Sequence, residues 1–344
     1  MNPGNQTFLK EFMLVGYSEN MKISLIFFIS LFPIYVLAIL GNSFLICAVF
    51  ISPKLHTPMY FFLCNLSIVD LCYSSISAPQ MLLDLLSMKR SISILSCMVQ
   101  MNIGHFLGST ESLLLAIMAY DRYIAICFPL YYTIIMNWKI CQNITIIVWI
   151  GGFISSVVPN ISKPLIFCTE NRLDHFVCEI LALIKIACGN LALVKLRLFI
   201  VSLFILLAPF VFIVMSYILI ISSVIKIKSN DRRLKAFSTC ASHLIVVFMF
   251  FGTTITMYMG QTKHLSPMLK YISLFYGIIT PVLNPLIYSL RNNEVKQAFL
   301  NILKIFHIWE QFCSDFRKVT AAPKLLQKYK SGKCAKLWAG AMKA

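Results

Sequence analysis

The sequence predicts an all-α membrane protein, in which a bundle of seven spanning helices is followed by a short amphipathic helix. Hydrophobic residues make up 59% of the 344 residues and charged residues only 12%, whereas a soluble protein carries about 25% charged residues. The apolar residues form seven runs, each close to the roughly 20 residues that cross a bilayer as a helix. The basic residues gather on one side of those runs, which is typical of an inserted membrane protein.

The predicted spans cover residues 24–51, 58–86, 98–120, 140–158, 198–225, 236–259 and 270–290. Span two opens with Pro58, and a proline costs no hydrogen bond at a helix start. The net charge is +17, and much of it lies in the short loop at residues 226–235 and in the chain after span seven. Because Lys and Arg favour the cytoplasmic side, residues 1–23 are expected to form an extracellular tail.

Both ends of the chain carry features of their own. Asn5-Gln6-Thr7 is an acceptor sequence for N-glycosylation in the extracellular tail. After span seven, Val295, Ala298 and Ile302 recur at helical spacing, which predicts a helix on the membrane surface over residues 292–306. Residues 307–344 form a basic cytoplasmic tail whose lysines suit anionic lipid, although its weak patterning favours plain disorder.

The composition also excludes other classes of protein. Nucleic-acid binding would explain a basic chain but not this hydropathy, and no nucleophile–base set indicates an enzyme. The twelve cysteines contain no Cys-x-x-Cys pair, so no metal centre is expected. A small-solute transporter would show an internal repeat or broken helices in matched positions, and neither is visible.

Four polar residues interrupt the spans: Asn42, Asp70, Glu111 and Asn284. A carboxylate inside the membrane is costly and is by default a functional hypothesis. Asp70 and Glu111 are expected at similar depth, where two carboxylates do not both ionise cheaply. A sodium ion or a proton is then the expected guest. The alternatives are that Glu111 is neutral and hydrogen-bonded, and that Asn42 makes a single packing contact.

Five strings of residues occur in order along the chain and resemble one family. They are Leu40-Gly41-Asn42, the Pro-Met-Tyr-Phe-Phe-Leu run at 58–63, Met-Ala-Tyr-Asp-Arg-Tyr-Ile-Ala-Ile-Cys at 118–127, and the runs at 235–244 and 281–292. Asp-Arg-Tyr at a helix end is similar to rhodopsin-like G-protein-coupled receptors. All five together resemble the odorant receptors of that group, over about residues 5–303.

The resemblance implies roles for particular residues. Asp121, Arg122 and Tyr123 would form the motif at the inner end of span three, whose arginine is released on activation. Tyr217, His243 and Tyr288 would belong to the inner switch, and Asn42, Asp70 and Asn284 to a buried polar network. The chain beyond residue 306 departs from the family, and Phe250-Phe251-Gly252 stands where the family often has Phe-Tyr-Gly.

Four cysteines are expected on the oxidising side of the membrane: Cys97 and, in the long loop between spans four and five, Cys168, Cys178 and Cys188. Four cysteines allow three connectivities. The resemblance favours Cys97–Cys178, which would pin the loop to span three, and therefore Cys168–Cys188 within the loop.

A small, mostly apolar pocket is expected in the outer half of the bundle. On span three His105, Gly108 and Ser109 share one face. Their expected partners on spans five, six and seven are Ser202, Leu206, Phe251, Thr254, Tyr258 and Gly277. Close helix packing would equally explain the glycines, and His105 could be an ordinary core histidine. No acid lies in the outer part of span three, so a neutral, lipophilic ligand is expected.

The resemblance thus implies an odorant receptor in the plasma membrane, in the cilia of olfactory sensory neurons. It would bind small volatile ligands and activate a heterotrimeric G protein of the stimulatory, olfactory type, which raises cyclic AMP. A rhodopsin-like receptor for a non-odorant small molecule is the main alternative.

Overall fold

The computed structural model describes residues 10–17, 20–87, 90–168, 170–226, 229–259, 268–290, 294–298, 300 and 301. Two units are distinguished, Met1–Asn292 and Asn293–Ala344. In the second unit, residues 294–298, 300 and 301 are helical. They belong to the predicted surface helix, whereas the tail 307–344 and Asn5 lie outside the described residues.

The first unit is built mainly of helices. They are α1 Met21–Ile51, α2 Pro58–Leu86, α3 Ile94–Cys127, α4 Tyr132–Ile135, α5 Trp138–Ser162, α6 Ile180–Ile186, α7 Ala192–Ser202, α8 Ala208–Ile225, α9 Asn230–Met259, α10 Leu269–Leu274 and α11 Thr280–Leu290. Side chains cap several starts, because the first amides of a helix lack partners. Asn20, Ser93 and Asn137 accept such amide hydrogen bonds before α1, α3 and α5.

Six segments of the described chain are long and apolar enough to cross a membrane: Met21–Ile51, Pro58–Leu86, Trp138–Ser162, Ala192–Ile225, Cys240–Met259 and Leu269–Tyr288. The predicted third span lies in α3, which has 34 residues and buries Gln100, Glu111 and Asp121. This helix is more polar because it packs on α2, α5, α8 and α9, at the centre of the bundle. The all-α membrane fold is confirmed.

The end of the bundle opposite Asp121-Arg122-Tyr123 is covered by residues 163–168 and 170–191, which are called the lid. Three short strands join the N-terminal tail to this region: β1 Glu11–Leu14 pairs antiparallel with β2 Ser91–Ser93 and parallel with β4 Arg172–Leu173. Within the lid, β3 Ile166–Phe167 pairs with β5 Ala187–Cys188. Lys270 Nζ lies 2.7 Å from Asp174 Oδ1, so an ion pair ties the lid to α10.

Two spans contain a π-helical turn. Leu203–Leu207 separates α7 from α8, and Phe275–Ile279 separates α10 from α11. In each turn an amide bonds to the carbonyl five residues earlier, from Ala208 to Leu203 and from Thr280 to Phe275. Such turns are rare in proteins, and those that occur are often at functional sites. Both turns contribute residues to the cavity described next.

Candidate functional site

A small cavity of about 40 Å³ lies between α3, the α7–α8 segment, α9 and the turn before α11. We call it the central cavity. Its lining is mostly apolar with a few hydroxyl and ring nitrogen groups, a composition typical of ligand pockets. The lining residues are His105, Gly108, Ser109, Val201, Ser202, Ile205, Leu206, Phe250, Thr254, Tyr258 and Tyr276.

Most residues predicted for the pocket meet at this cavity, but Phe251 and Gly277 do not line it. Phe251 is fully buried and packs on Phe250 and Phe210, with ring centroids 4.9 and 5.5 Å away. A step of one residue turns a helix by about 100°, so Phe250 takes the cavity wall. Gly277 instead lines a narrow space beside Tyr73.

His105 is a polar residue of the cavity with an unused hydrogen-bonding atom. Its Nδ1 is buried and has no partner among the described residues. The imidazole ring stacks on Tyr258 at 6.2 Å between centroids. Because a buried polar atom without a partner carries a desolvation cost, His105 Nδ1 is suited to a hydrogen bond with a bound molecule.

The lid supplies an acid to the same region. Tyr258 donates a hydrogen bond of 3.2 Å to Glu179 Oε1, and the amide of Leu181 donates to Glu179 Oε2 at 3.0 Å. Glu179 caps the start of α6 and follows Cys178 directly. Glu179 was not among the residues predicted for the site. The position next to a cysteine that is pinned to α3 was the available signal.

Burial shifts the pKa of two titratable groups of the lid in opposite directions. Burial raises the pKa of Glu179 from 4.5 to about 7, against the opposing effect of the Tyr258 hydrogen bond. Burial also lowers the pKa of His175 from 6.5 to about 4. Both side chains of the lid are therefore held in the neutral form near pH 6.

These opposite shifts give a testable pH dependence. The stabilising effect of neutral Glu179 is full below pH 4.5 and is lost as the pH rises to about 7. That of neutral His175 is full above pH 6.5 and is lost as the pH falls to about 4. Between pH 4.5 and 6.5 the two slopes cancel, and each is at most about 1.4 kcal/mol per pH unit.

We therefore expect the thermal stability of purified Glu179→Gln to gain a rising slope with pH, relative to the parent chain, in this window. His175→Asn should gain a falling slope relative to the parent, and the double variant should keep the parent's slope. Melting temperatures measured from pH 4.5 to 6.5 check this result. Single variants with the same slope as the parent would contradict it.

Asp70, Glu111 and Asn284 form one polar network below the cavity, and Asn42 bonds separately to the backbone of α11. Asn284 Nδ2 donates to both oxygens of Asp70, at 3.1 and 3.0 Å. Tyr276 donates to Glu111 Oε2 at 3.1 Å. Asn42 Nδ2 donates to the carbonyl of Pro281 at 2.7 Å, which joins α1 to α11. Glu111 Oε1 and Asn284 Oδ1 are buried without a partner in the described chain, so acceptor oxygens remain open there.

At the other end of the bundle, His243 links three helices. Tyr217 OH lies 2.9 Å from His243 Nδ1, and His243 Nε2 lies 3.2 Å from the carbonyl oxygen of Leu115. Since a carbonyl only accepts, Nε2 carries the proton and Nδ1 accepts from Tyr217. The imidazole thus holds α9 against α8 and α3. The nearby hydroxyl of Tyr288 is buried without a partner among the described residues.

The Asp-Arg-Tyr motif lies at this same end, on α3. Asp121 Oδ1 accepts a hydrogen bond of 2.7 Å from Tyr132 on α4. The Arg122 guanidinium contacts the Met59 sulfur at the start of α2. The Tyr123 ring packs edge-on against Phe128 at 5.6 Å. The motif therefore connects α3 to α4 and to the start of α2.

Two disulfide bonds hold the lid. Cys97–Cys178 joins it to α3, with Cα atoms 5.3 Å apart, and Cys168–Cys188 closes the lid on itself, with Cα atoms 6.1 Å apart. Next to the first bond, the amide of Cys178 donates to Gln100 Oε1 at 2.8 Å. The start of α6, and Glu179 with it, is thereby fixed above the central cavity.

A membrane-embedded helical bundle with a cavity beneath a tethered lid and a polar network below it defines a membrane receptor. The olfactory receptor family model matches residues 31–305. Human olfactory receptor 13C9 is 45% identical over 302 residues, which cover 86% of this chain and 95% of that protein. Human olfactory receptor 2G3 is 43% identical (88% and 99% covered), as is mouse olfactory receptor 2B6 (88% and 98% covered). The chain belongs to the olfactory receptor family, and is a receptor rather than an enzyme.

Proposed function

We propose that this olfactory receptor binds a small, neutral, mostly apolar and volatile molecule in the central cavity. The observation that carries the proposal is His105 Nδ1, which is buried at the cavity wall without a partner in the described chain. The other lining groups are mainly aliphatic and aromatic, so burial of apolar ligand surface supplies most of the binding free energy. One hydrogen bond to His105 then orients the ligand.

The response to the ligand is a shift between two arrangements of the bundle. A ligand changes such an equilibrium only by its different affinity for the two states. Filling the cavity favours the state in which the inner end of α9 moves outward. A groove then opens between Arg122, Tyr217 and residues 226–243 for a G-protein helix. The partner is a heterotrimeric G protein of the stimulatory, olfactory type, and cyclic AMP rises.

The orientation and location follow from this coupling. The N-terminal tail lies outside the cell, where Asn5 is glycosylated, and the basic segments face the cytoplasm and its anionic lipid. The receptor resides in the plasma membrane, in the cilia of olfactory sensory neurons. Support comes from the position of the basic residues in the sequence, together with the positive-inside tendency.

A sodium ion or a shared proton is proposed for the polar network. The support is that Glu111 Oε1 and Asn284 Oδ1 are buried acceptors without partners in the described chain, near the second acid, Asp70. Carbonyl and carboxylate oxygens are ligands suited to hard cations. Competition between sodium and agonist in a binding assay, removed by Asp70→Asn, would distinguish the ion from a proton.

The test of function is cyclic AMP accumulation in cells that display the receptor at their surface, against a broad odorant panel. Arg122→Ala, at equal surface level, should abolish every response, because it removes the charged group of the proposed groove. Responses that persist in Arg122→Ala would contradict the coupling. Silence of the parent chain at confirmed surface level would contradict the odorant proposal and favour a non-odorant ligand.

His105→Phe tests the ligand contact separately. Phenylalanine keeps a ring to stack on Tyr258 but removes both nitrogens. One lost hydrogen bond of about 0.5–1.5 kcal/mol should raise the half-maximal concentration roughly two- to tenfold for ligands with an oxygen function. Hydrocarbon ligands of similar size serve as the control and should be unaffected. An equal loss for both kinds of ligand would point to packing alone.

Tyr217→Phe tests the switch. It removes the hydroxyl that donates to His243 Nδ1 and so weakens the link between α8 and α9. Loss of a buried hydrogen bond of about 0.5–1.5 kcal/mol should raise basal cyclic AMP roughly two- to tenfold. Tyr120→Phe is the matched control, since the Tyr120 ring packs on Phe212 at the same end of the bundle. Unchanged basal signalling in Tyr217→Phe would count against the switch.

A further inference from the structure

A second cavity, of about 260 Å³, lies beneath the N-terminal tail and is much larger than the central one. We call it the tail cavity. Gly16 and Tyr17 of the tail cover it, α1 and α2 form its walls, and Phe176 of the lid closes one side. A dry cavity of about 150 Å³ is enough to bind benzene. The tail cavity therefore has room for a small organic molecule, and its volume is several times the roughly 40 Å³ of the central cavity.

The lining of the tail cavity is apolar in character. Its walls include Leu31, Met81 and Leu85, all of which are buried. Its polar groups already make hydrogen bonds: Tyr17 OH donates to the carbonyl of Phe176 at 2.8 Å, and Ser24 Oγ accepts from Arg90 at 3.1 Å. No charged side chain is among the described residues of this lining, so a charged molecule would lose its hydration without an ion pair in the cavity wall. The cavity thus suits an uncharged apolar ligand.

Part of the lining of the tail cavity is exposed on the side of the bundle. Ile23 and Phe27 on α1 and Tyr271 on α10 line the cavity and are themselves 42%, 37% and 50% exposed. Apolar side chains exposed on a spanning helix are those in contact with lipid. A molecule dissolved in the bilayer can therefore reach the cavity between α1 and α10.

The tail is held firmly over this cavity. A Cβ atom at Gly16 would lie 2.6 Å from the carbonyl carbon of His175, so the backbones of tail and lid approach too closely for any side chain. The Tyr17 ring packs edge-on to Phe176 at 5.2 Å, and the Arg90 guanidinium lies 5.2 Å from the same tyrosine ring. The tail is thus a fixed roof that closes the cavity from above.

A narrow slot leads inward from the tail cavity. Its lining shares Met81, Phe176 and Leu274 with the tail cavity. At its inner end stands Tyr73, whose ring meets Tyr276 of the central cavity edge-on at 5.1 Å. The two cavities are therefore separated by this slot and a pair of aromatic rings, and a molecule passes between them only when these rings move.

We propose that the tail cavity is a second binding site for a small, uncharged, apolar molecule, which reaches it from the lipid. Since the ligand class is that of the central cavity, this proposal rests on the proposed function. The site holds the ligand beside α1 and α2 before it passes the Tyr73–Tyr276 pair. A phospholipid acyl chain has the same chemistry as such a ligand, so the experiment must separate the two.

The probe is an octanol that carries a photoreactive aliphatic diazirine, used on the full-length receptor in lipid nanodiscs. Illumination and peptide mapping should find adducts on the chain around Tyr17, Met81 and Phe176, and unlabelled octanol should compete them away. Leu31→Trp fills the cavity and should abolish these adducts. The matched control is Ile29→Trp on the lipid-facing side of α1, where the side chain is 61% exposed, and it should leave them unchanged.

Each other result is decisive. Adducts that octanol does not compete and that Leu31→Trp leaves unchanged would mean partition into lipid, and would overturn the site. So would labelling of the same peptides by a phospholipid with the diazirine in its tail, if octanol fails to displace it. Adducts only around His105 and Tyr258 would overturn the second site while the proposed function stands. Adducts in the tail cavity with no cyclic AMP response to any odorant would overturn the proposed function, while the second site stands. The mapping on the parent chain needs no variant, so a poorly folded Leu31→Trp leaves the test intact.

Discussion

Gly152→Ala is expected to destabilise the receptor by about 1–3 kcal/mol, although it adds a single methyl group. The ideal Cβ position at Gly152 overlaps the Thr110 hydroxyl, and lies 3.3 and 3.4 Å from the backbone N and Cα of Thr110. That hydroxyl is itself held by a 2.9 Å hydrogen bond to the carbonyl of Phe106. Relief therefore requires α3 and α5 to separate or this bond to break. Overpacking of this kind costs about 1–3 kcal/mol.

The measurement is the yield of surface receptor and the melting temperature of the purified protein. Thr110→Ala removes the hydroxyl, so the double variant should recover most of the loss; full additivity of the two losses would refute the proposed contact. Gly252→Ala is the matched control. A Cβ there meets nothing within 4 Å, and alanine favours a helix over glycine by about 1 kcal/mol. That variant should be neutral or slightly stabilising.

The helical bundle was predictable because long apolar runs have one solution in lipid, where every backbone amide must bond within its own helix. Hydropathy reports only the part of a helix that crosses the bilayer. It does not report that α3 continues to Cys127 or that α7 begins at Ala192. At the end of α3 Ile124 is buried and its carbonyl accepts from the amide of Phe128, and before α7 the side chain of Asn190 accepts from the amide of Ala192.

The central cavity was predictable in part. His105, Gly108 and Ser109 share a helical face, and that spacing alone places them together. The rotation of α9 about its axis depends on packing against α3 and α8, which no pattern in the sequence states, and so Phe250 rather than Phe251 lines the cavity. The π-helical turn at Phe275–Ile279 changes the register of span seven, and Tyr276 reaches both the cavity and Glu111.

The strands that join the N-terminal tail to the lid were not predicted. Strands β1, β2 and β4 have four, three and two residues, too few for an alternating pattern to be recognised. Their pairing joins residues far apart in the sequence, Phe12 with Ile92 and Leu14 with Leu173. The position of Glu179 at the site was not predicted for a similar reason. Its place above the cavity depends on the path of a long loop that only the disulfide bonds and the tail contacts determine.

Loss of the Cys97–Cys178 bond is expected to have an effect larger still, and well above that of losing Cys168–Cys188. The first bond closes a loop of 81 residues and the second a loop of 20. In the chain-entropy description these loops correspond to about 4.5 and about 3.3 kcal/mol. The membrane already confines the ends of the longer loop, so 4.5 is an upper limit. The larger difference is structural, since only the first bond fixes the lid to α3.

The comparison uses Cys97→Ser with Cys178→Ser, and Cys168→Ser with Cys188→Ser, measured by surface display and by agonist response. Removal of Cys97–Cys178 frees the chain on which Glu179 approaches Tyr258, so the response should be lost even in molecules that reach the surface. Removal of Cys168–Cys188 should lower surface display and retain the response. Cys47→Ser, at an exposed free cysteine of α1, controls for loss of a thiol alone. Equal losses of response in the two disulfide variants would mean that the anchor on α3 does not position the lid over the ligand.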